Sequence, residues 1–312
     1  MMTASGIQKF KGTLLFDEPM SKHTSWRIGG TADQFYTPAD IDDLVSFIRQ
    51  LPDSENIVFI GLGSNLLVRD KGIRGTVISL KGSLSEIELL DDHCLRVGAG
   101  TSCAKLARYC HRNNLIGGEF FAGIPGLLGG ALAMNAGAFG GETWPLIKSV
   151  ITINKKGETF TRTPADYEIN YRSVKCRDVK KQNAEWFISA DLKFTAGDGE
   201  AAAQRVKKLL GQRSNTQPTG LPSCGSVFKN PDNDFAARLI ESCGLKGYAI
   251  GGAVVSEKHA NFIINSDRAS ANTSATASDV EALIEFVQQT VEKEHAVKLQ
   301  TEVKIIGEAD NE

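Results

Sequence analysis

Residues 123–140, GIPGLLGGALAMNAGAFG, constrain this chain more than any other stretch. These eighteen positions hold six glycines, four alanines and one proline, and none carries a charged side chain. Glycine has no Cβ, so the backbone can pass close to a neighbour or take φ > 0. Such a run is a poor helix former and has little to pack in a strand. It predicts either a loop pressed against something flat or anionic, or a tightly packed Gly-rich turn, with nothing in the stretch itself to separate the two.

A second glycine signal comes earlier. Strand-like runs at 56–60 (NIVFI) and 65–68 (NLLV) are joined by Gly61-Leu62-Gly63-Ser64-Asn65. A Gly-x-Gly turn after a strand can present amides to a phosphate. An ordinary hairpin turn fits the piece equally well. The third glycine of G-x-G-x-x-G is absent, since position 66 is Leu, which disfavours a Rossmann dinucleotide site. No G-x-x-x-x-G-K-[ST] occurs, so the P-loop class is excluded.

The rest of the chain reads as mixed α+β. Ile41, Leu44, Val45 and Ile48 fall on one helical face behind an Asp40 N-cap, predicting a helix over 40–50. Strand character follows at 75–80, 86–90 and 94–98, a helix at 101–113, and strands at 149–154, 158–162 and 186–194. Strands outnumber helices without a regular βαβ alternation, which favours α+β. GDGE at 197–200 marks a boundary. Beyond it the pattern predicts helices at 201–213 and 234–243, the second closed by Gly244 as C′. A third helix, with Val280, Leu283, Ile284, Val287 and Val291 along one stripe, starts at a capping box of Ser278 and Glu281. Strands are expected at 249–255, 260–265 and 298–306, and an acidic tail at 308–312. The expected division is 1–82, 83–198 and 199–312.

Composition removes several function classes. At 312 residues the chain has room for two or three domains. Net charge is 35 − 37 = −2, so no global basic field recruits nucleic acid. No apolar run spans a membrane and the N-terminus has no apolar h-region, which predicts a cytoplasmic protein. The six cysteines form no CxxC pair and read as reduced thiols, and the five histidines show no HExxH spacing, so no metal site is expected.

Three polar residues stand out, each with a bland alternative. Strand alternation places Glu302 with Lys298, Gln300 and Lys304, the pattern of a solvated face. Ser226 follows Gly225 and enters an apolar pair; its hydroxyl can be aimed at a cleft or spent on its own turn. Arg172 follows Tyr171; its fork can grip a carboxylate in two bonds or lie on the surface.

In order along the chain, IGLGSNLLVRD (60–70), GIPGLLGGALAMNAGAFG (123–140), NYRSV (170–174), CGSVFKNP (224–231) and LQTEVKIIG (299–307) together resemble the UDP-N-acetylenolpyruvoylglucosamine reductase (MurB) family, flavoproteins of bacterial cell-wall synthesis. The resemblance covers roughly residues 21–307. It implies an FAD-binding PCMH-type fold of two α+β subdomains and a smaller C-terminal α+β substrate domain. It also implies non-covalent FAD, NADPH as co-substrate and UDP-N-acetylglucosamine enolpyruvate as acceptor. Arg172, Ser226 and Glu302 occupy the family's catalytic positions. Cofactor contacts are expected from Ser25 and Arg27, from Gly61, Gly63, Ser64, Asn65 and Leu66, and from Gly123, Ile124, Pro125, Gly126, Gly130, Asn135, Gly137 and Ala138. Arg213 is a further anion-site candidate. Tyr171, Lys229 and Asn230 are the expected substrate contacts. With 226 − 172 = 54 positions between Arg172 and Ser226, the chain resembles the shorter branch, without the tyrosine-bearing lid insertion. A monomer or weak dimer is expected.

Two rival functions share these features. A flavin oxidase on the same scaffold would act on alcohols or sugars. A non-catalytic nucleotide-sugar or flavin-binding module would use the glycine loops but has no need of Arg172, Ser226 and Glu302 together.

Overall fold

A computed structural model describes residues 10–91, 93–178, 185–266 and 274–309. Part of the expected acidic tail, residues 310–312, lies outside them. The first region runs β1 (Thr13–Pro19), β2 (Thr31–Thr37), α1 (Ile41–Ile48), β3 (Ile57–Ile60), β4 (Leu66–Val68) and β5 (Ile73–Ser79). Four of these strands form a sheet in the order β1-β2-β5-β3, antiparallel at β1-β2 and parallel elsewhere. Helix α1 starts where expected: the Asp40 side chain accepts the Asp43 amide, and Leu44, Phe47 and Ile48 are buried. Asp43 in turn accepts the amides of Lys11, Gly12 and Ala39 and the Tyr36 hydroxyl. Burial opposes ionisation of that carboxyl, but these hydrogen bonds win and hold it below the usual carboxylate range.

The second region contains β6 (Ile87–Leu89), β7 (Cys94–Gly98), α2 (Cys103–Arg112), β8 (Leu115–Ile116), α3 (Leu128–Met134), β9 (Gly137–Ala138), β10 (Gly141–Glu142), β11 (Ile147–Asn154), β12 (Thr159–Arg162), β13 (Tyr167–Asn170), β14 (Ser173–Cys176), β15 (Glu185–Lys193) and β16 (Thr195–Ala196). Its main sheet is antiparallel, in the order β12-β11-β15-β7-β6. The β9-β10 and β13-β14 hairpins form separate two-stranded sheets.

Here the glycine-rich run departs from expectation, because its middle is helix α3. Leu128, Ala131 and Leu132 are buried on one side of it, so tertiary packing overrides the weak propensity. Five of its six glycines keep φ < 0; only Gly140 is left-handed. Space is what Gly123, Gly129 and Gly137 supply. A Cβ on Gly123 would fall 2.4 Å from the Phe139 ring, and one on Gly129 would fall 3.1 Å from Ala99.

The third region comprises α4 (Gly199–Thr216), α5 (Ala236–Ser242), β17 (Ala249–Ile250), β18 (Ala253–Val255), β19 (Ile263–Asn265), α6 (Ala277–His295) and β20 (Lys304–Ile306). Helix α4 is longer than the pattern predicts and packs on α2 and the 3-10 turn Glu119–Gly123. Gly244 is left-handed as expected. The capping box of α6 is not Ser278 and Glu281 but Thr276 and Asp279. Ser278 and the Ala277 amide bond to Asp70, and Glu281 pairs with Arg69 at 3.0 Å, so both residues are taken by the first region. The expected strand at 298–306 is regular only over its last three residues, where it pairs in parallel with β4.

That pairing has a structural consequence. Strand β4 joins β20, not β3, so the Gly61–Asn65 turn is not a hairpin. Trp26, Ile28 and Leu67 of the first region lie in the same apolar core as Phe228, Leu283 and Val287. The Trp26 indole donates to the Ile263 carbonyl at 2.7 Å. The first and third regions are thus sewn together across more than 200 residues of sequence. No helix among the described residues is long and apolar enough to cross a membrane.

Candidate active site

A cleft of about 280 Å³ opens where the three regions meet, and a neighbouring groove of about 420 Å³ shares Ser64, Pro125, Arg213 and Gly225 with it. One wall is backbone. The amides of Leu62, Gly63, Ser64 and Asn65 form no hydrogen bond with any described residue. Gly63 is left-handed (φ 62°), and a Cβ there would fall 2.0 Å from the His23 carbonyl oxygen. Glycine is therefore required to hold the turn, and the turn leaves four successive donors unpaired, the form of an anion-binding nest. Across from it, a Cβ on Gly126 would meet nothing closer than Ser64 Oγ at 3.6 Å; one on Gly130 would meet nothing within 4 Å outside its own stretch of helix. Gly61 and Gly130 line a further, largely apolar slot of about 160 Å³ beside Trp186.

Arg213 crosses to this wall from α4. It donates to the Gly123 carbonyl at 2.5 Å and to Gln217 at 2.9 Å, and no described carboxylate pairs with it. Burial lowers its pKa. A half-buried guanidinium without a described counter-ion, lining the same cleft as Ser64 and Asn65 of the unpaired-amide turn, fits the diphosphate of a dinucleotide cofactor.

The other wall is made of side chains. Arg172 sits in the two-residue turn of the β13-β14 hairpin with φ 53°, an uncommon conformation for a non-glycine residue. Its guanidinium bonds Glu302 at 2.9 Å and the Gly137 carbonyl at 2.9 Å. Asn135, itself left-handed and 1% exposed, fixes that stretch by bonding Glu142, the Asn170 carbonyl and the Trp144 amide. Glu302 is placed by backbone pairing: its amide donates to the Val227 carbonyl at 2.7 Å, and the Lys229 amide donates to the Gln300 carbonyl. Asn65 holds it from below, donating to the Glu302 carbonyl at 3.1 Å. Residues 226–229 and 300–303 thus run side by side, which brings Ser226 and Glu302 into one cleft with Arg172.

The solvated-face alternative for Glu302 is therefore wrong; its side chain is 13% exposed. Burial pushes its carboxyl above the ordinary range, and Arg172, then Lys229, offset this only in part. Ser226 follows left-handed Gly225, and its hydroxyl bonds no described residue. Cys224, beside it, is buried, and its thiol points to the Gly63 and Leu66 carbonyls; burial raises its pKa to about 12, so it is inert at neutral pH.

Not every expected contact reaches the cleft. Ser64, Asn65, Gly123, Ile124, Pro125, Gly137, Ala138 and Arg213 line it, while Ser25 and Arg27 line the neighbouring groove. Leu66 is spent in β4 and Asn135 on positioning Arg172. Tyr171 lies outside the lining and stacks under Arg172 at 5.0 Å. Lys229 faces Glu302 electrostatically, and Asn230 caps α5 by accepting the Ala236 amide. The lining also includes Phe139, Gln217 and Phe262, which sequence reasoning missed. For Phe139 a signal existed: it is the one bulky aromatic residue in the glycine run.

Comparison with known proteins agrees with this geometry. Residues 32–162 match the FAD binding domain family, and residues 217–306 match the family of the UDP-N-acetylenolpyruvoylglucosamine reductase C-terminal domain. The chain is 54% identical over 309 residues to the UDP-N-acetylenolpyruvoylglucosamine reductase of Legionella pneumophila strain Philadelphia 1, covering 99% of this chain and 97% of that protein. It is 54% identical over 299 residues to that of Methylococcus capsulatus, covering 96% and 95%. The crystal structure of the Thermus caldophilus reductase superposes with a TM-score of 0.75 at 27% identity, covering 95% of this chain and 98% of that one. The α+β fold is an FAD-binding PCMH-type domain joined to a MurB C-terminal domain, and the chain belongs to the UDP-N-acetylenolpyruvoylglucosamine reductase family of FAD-dependent oxidoreductases.

Proposed function

We propose that this protein reduces UDP-N-acetylglucosamine enolpyruvate to UDP-N-acetylmuramate with NADPH, in the cytoplasm, as a monomer or weak dimer. The observation that carries it is the meeting of Arg172, Ser226 and Glu302 in one cleft beside an unpaired amide nest. FAD would lie along the nest, with Leu62–Asn65 and Arg213 at its diphosphate and the Gly123–Gly126 segment along its length. The working division is two cofactor subdomains, 1–82 and 83–198, and a substrate region, 199–312, whose first helix packs back on the second subdomain. The chemistry a bound FAD supplies is hydride relay, from NADPH to C3 of the enolpyruvyl group.

The chain's own residues handle the charge and the proton. Negative charge gathers on the carboxylate-conjugated enol as C3 is attacked. The Arg172 guanidinium neutralises it, and a preorganised donor of this kind is worth on the order of 10²–10³ in rate. Glu302 orients that guanidinium from a partly buried position and polarises the same end of the substrate. Ser226 gives its hydroxyl proton to C2; the enolate is basic enough to take it from a weak acid held in place. Lys229 and Asn230 flank the sugar-nucleotide arm.

Purified protein should be yellow. Anaerobic NADPH should bleach it, and the enolpyruvyl substrate should restore the colour. A colourless protein that takes up no FAD, or a bleached one that the substrate fails to re-oxidise, overturns the proposal. Flavin that stays with the acid-precipitated pellet would point to a tethered-flavin oxidase.

A further inference from the structure

Strands β9 and β10 are joined by two residues, Phe139 and Gly140, with φ of 53° and 85°. A two-residue hairpin with both central residues at positive φ is a type I′ turn, whose first position favours Asn, Asp or Gly. Phenylalanine is a poor choice there, because its Cβ crowds the backbone in the left-handed region. Burial in a core does not repay the strain. Phe139 is 42% exposed, belongs to none of the apolar cores and stacks on no described ring. It lies against Gly123, where a Cβ would collide with it, and it lines the cleft two residues beyond the Gly137 carbonyl that holds Arg172. A local rule broken without a structural return is a mark of a functional position.

We propose that Phe139 is a wall of the substrate site: its ring contacts the enolpyruvyl end, excludes water beside Arg172 and so strengthens the guanidinium–carboxylate contact during reduction. This rests on the function proposed above. A dry, apolar neighbour raises the worth of a charge pair, whereas Asn at the same position would admit water.

The test is Phe139→Asn in the FAD-loaded enzyme, with Phe139→Tyr beside it. Asn suits the turn, so the melting temperature should rise, by about 2 °C. The kcat/KM for the enolpyruvyl substrate should fall at least about tenfold through loss of the dry contact. Bleaching by NADPH should keep its rate, and Phe139→Tyr should restore turnover. Wild-type kcat/KM in Phe139→Asn overturns the proposal. So does a lowered melting temperature, which would make the ring part of the packing. Slowed bleaching with unchanged re-oxidation would assign the ring to the dinucleotide and overturn it as well. Failure of the underlying function would show in the unsubstituted enzyme, as no re-oxidation by the substrate, and would leave the melting comparison untouched.

Discussion

The two walls of the cleft are built on opposite principles. The amide nest of the cofactor wall is local and made of backbone: five consecutive residues, Gly61–Asn65, leave four amides unpaired because one glycine permits the turn. The reacting wall is non-local and made of side chains: Arg172 and Glu302 are 130 positions apart and meet at 2.9 Å. The first wall needs only the right turn; the second needs the whole fold. Damage to the first should therefore appear as cofactor loss, and damage to the second as lost chemistry with the cofactor still bound.

The largest expected effect is on the reacting wall. Ser226→Ala should slow re-oxidation of the reduced enzyme by the enolpyruvyl substrate on the order of 10²–10⁴-fold, with FAD content unchanged in the visible spectrum. Arg172→Lys keeps the charge but loses the fork that spans Glu302 and the Gly137 carbonyl. Its steady-state kcat should drop on the order of 10²–10³-fold. Next comes pH. Glu302 holds Arg172 as a carboxylate, and burial raises its pKa above 4.5, so the acid limb of kcat should begin above that value. Below it the rate should fall roughly tenfold per pH unit. Glu302→Gln should flatten that limb in the profile. The smallest effect belongs to the cofactor wall. Gly130→Ala fills space where no described atom outside its own stretch of helix lies within 4 Å, and alanine favours the helix by roughly 0.5–1 kcal/mol. It should raise the melting temperature of the apoprotein slightly while weakening FAD retention on dilution. If Ser226→Ala lost FAD, or Gly130→Ala stopped chemistry with FAD fully bound, the contrast between the walls would break.

The sequence discloses the two walls unequally, for the same reason. Helix α1 is set by neighbours in the chain, so the Asp40 cap announces it; glycine spacing marks the Gly61–Asn65 turn but leaves open the hairpin that the β4–β20 pairing excludes. Glu302 looks solvated by alternation alone; only its backbone pairing with Val227 turns it inward. Helix α3 is hidden in a run of weak formers because Leu128 and Leu132 find their partners through the fold. Ser278 and Glu281 satisfy the capping-box pattern, yet Asp70 and Arg69 claim them from another region. What the residues alone leave open at Arg172, Ser226 and Glu302, the resemblance to a known family supplies, because motif order carries long-range information that propensity does not.

The most direct test is double-mixing absorbance with the Ser226→Ala enzyme under anaerobic conditions, NADPH first and UDP-N-acetylglucosamine enolpyruvate second. Bleaching at the wild-type rate followed by a return of the flavin colour slowed on the order of 10²–10⁴-fold is the predicted result. Colour returning at the wild-type rate would show that the proton reaches C2 from elsewhere and would contradict the assignment of the three converging side chains.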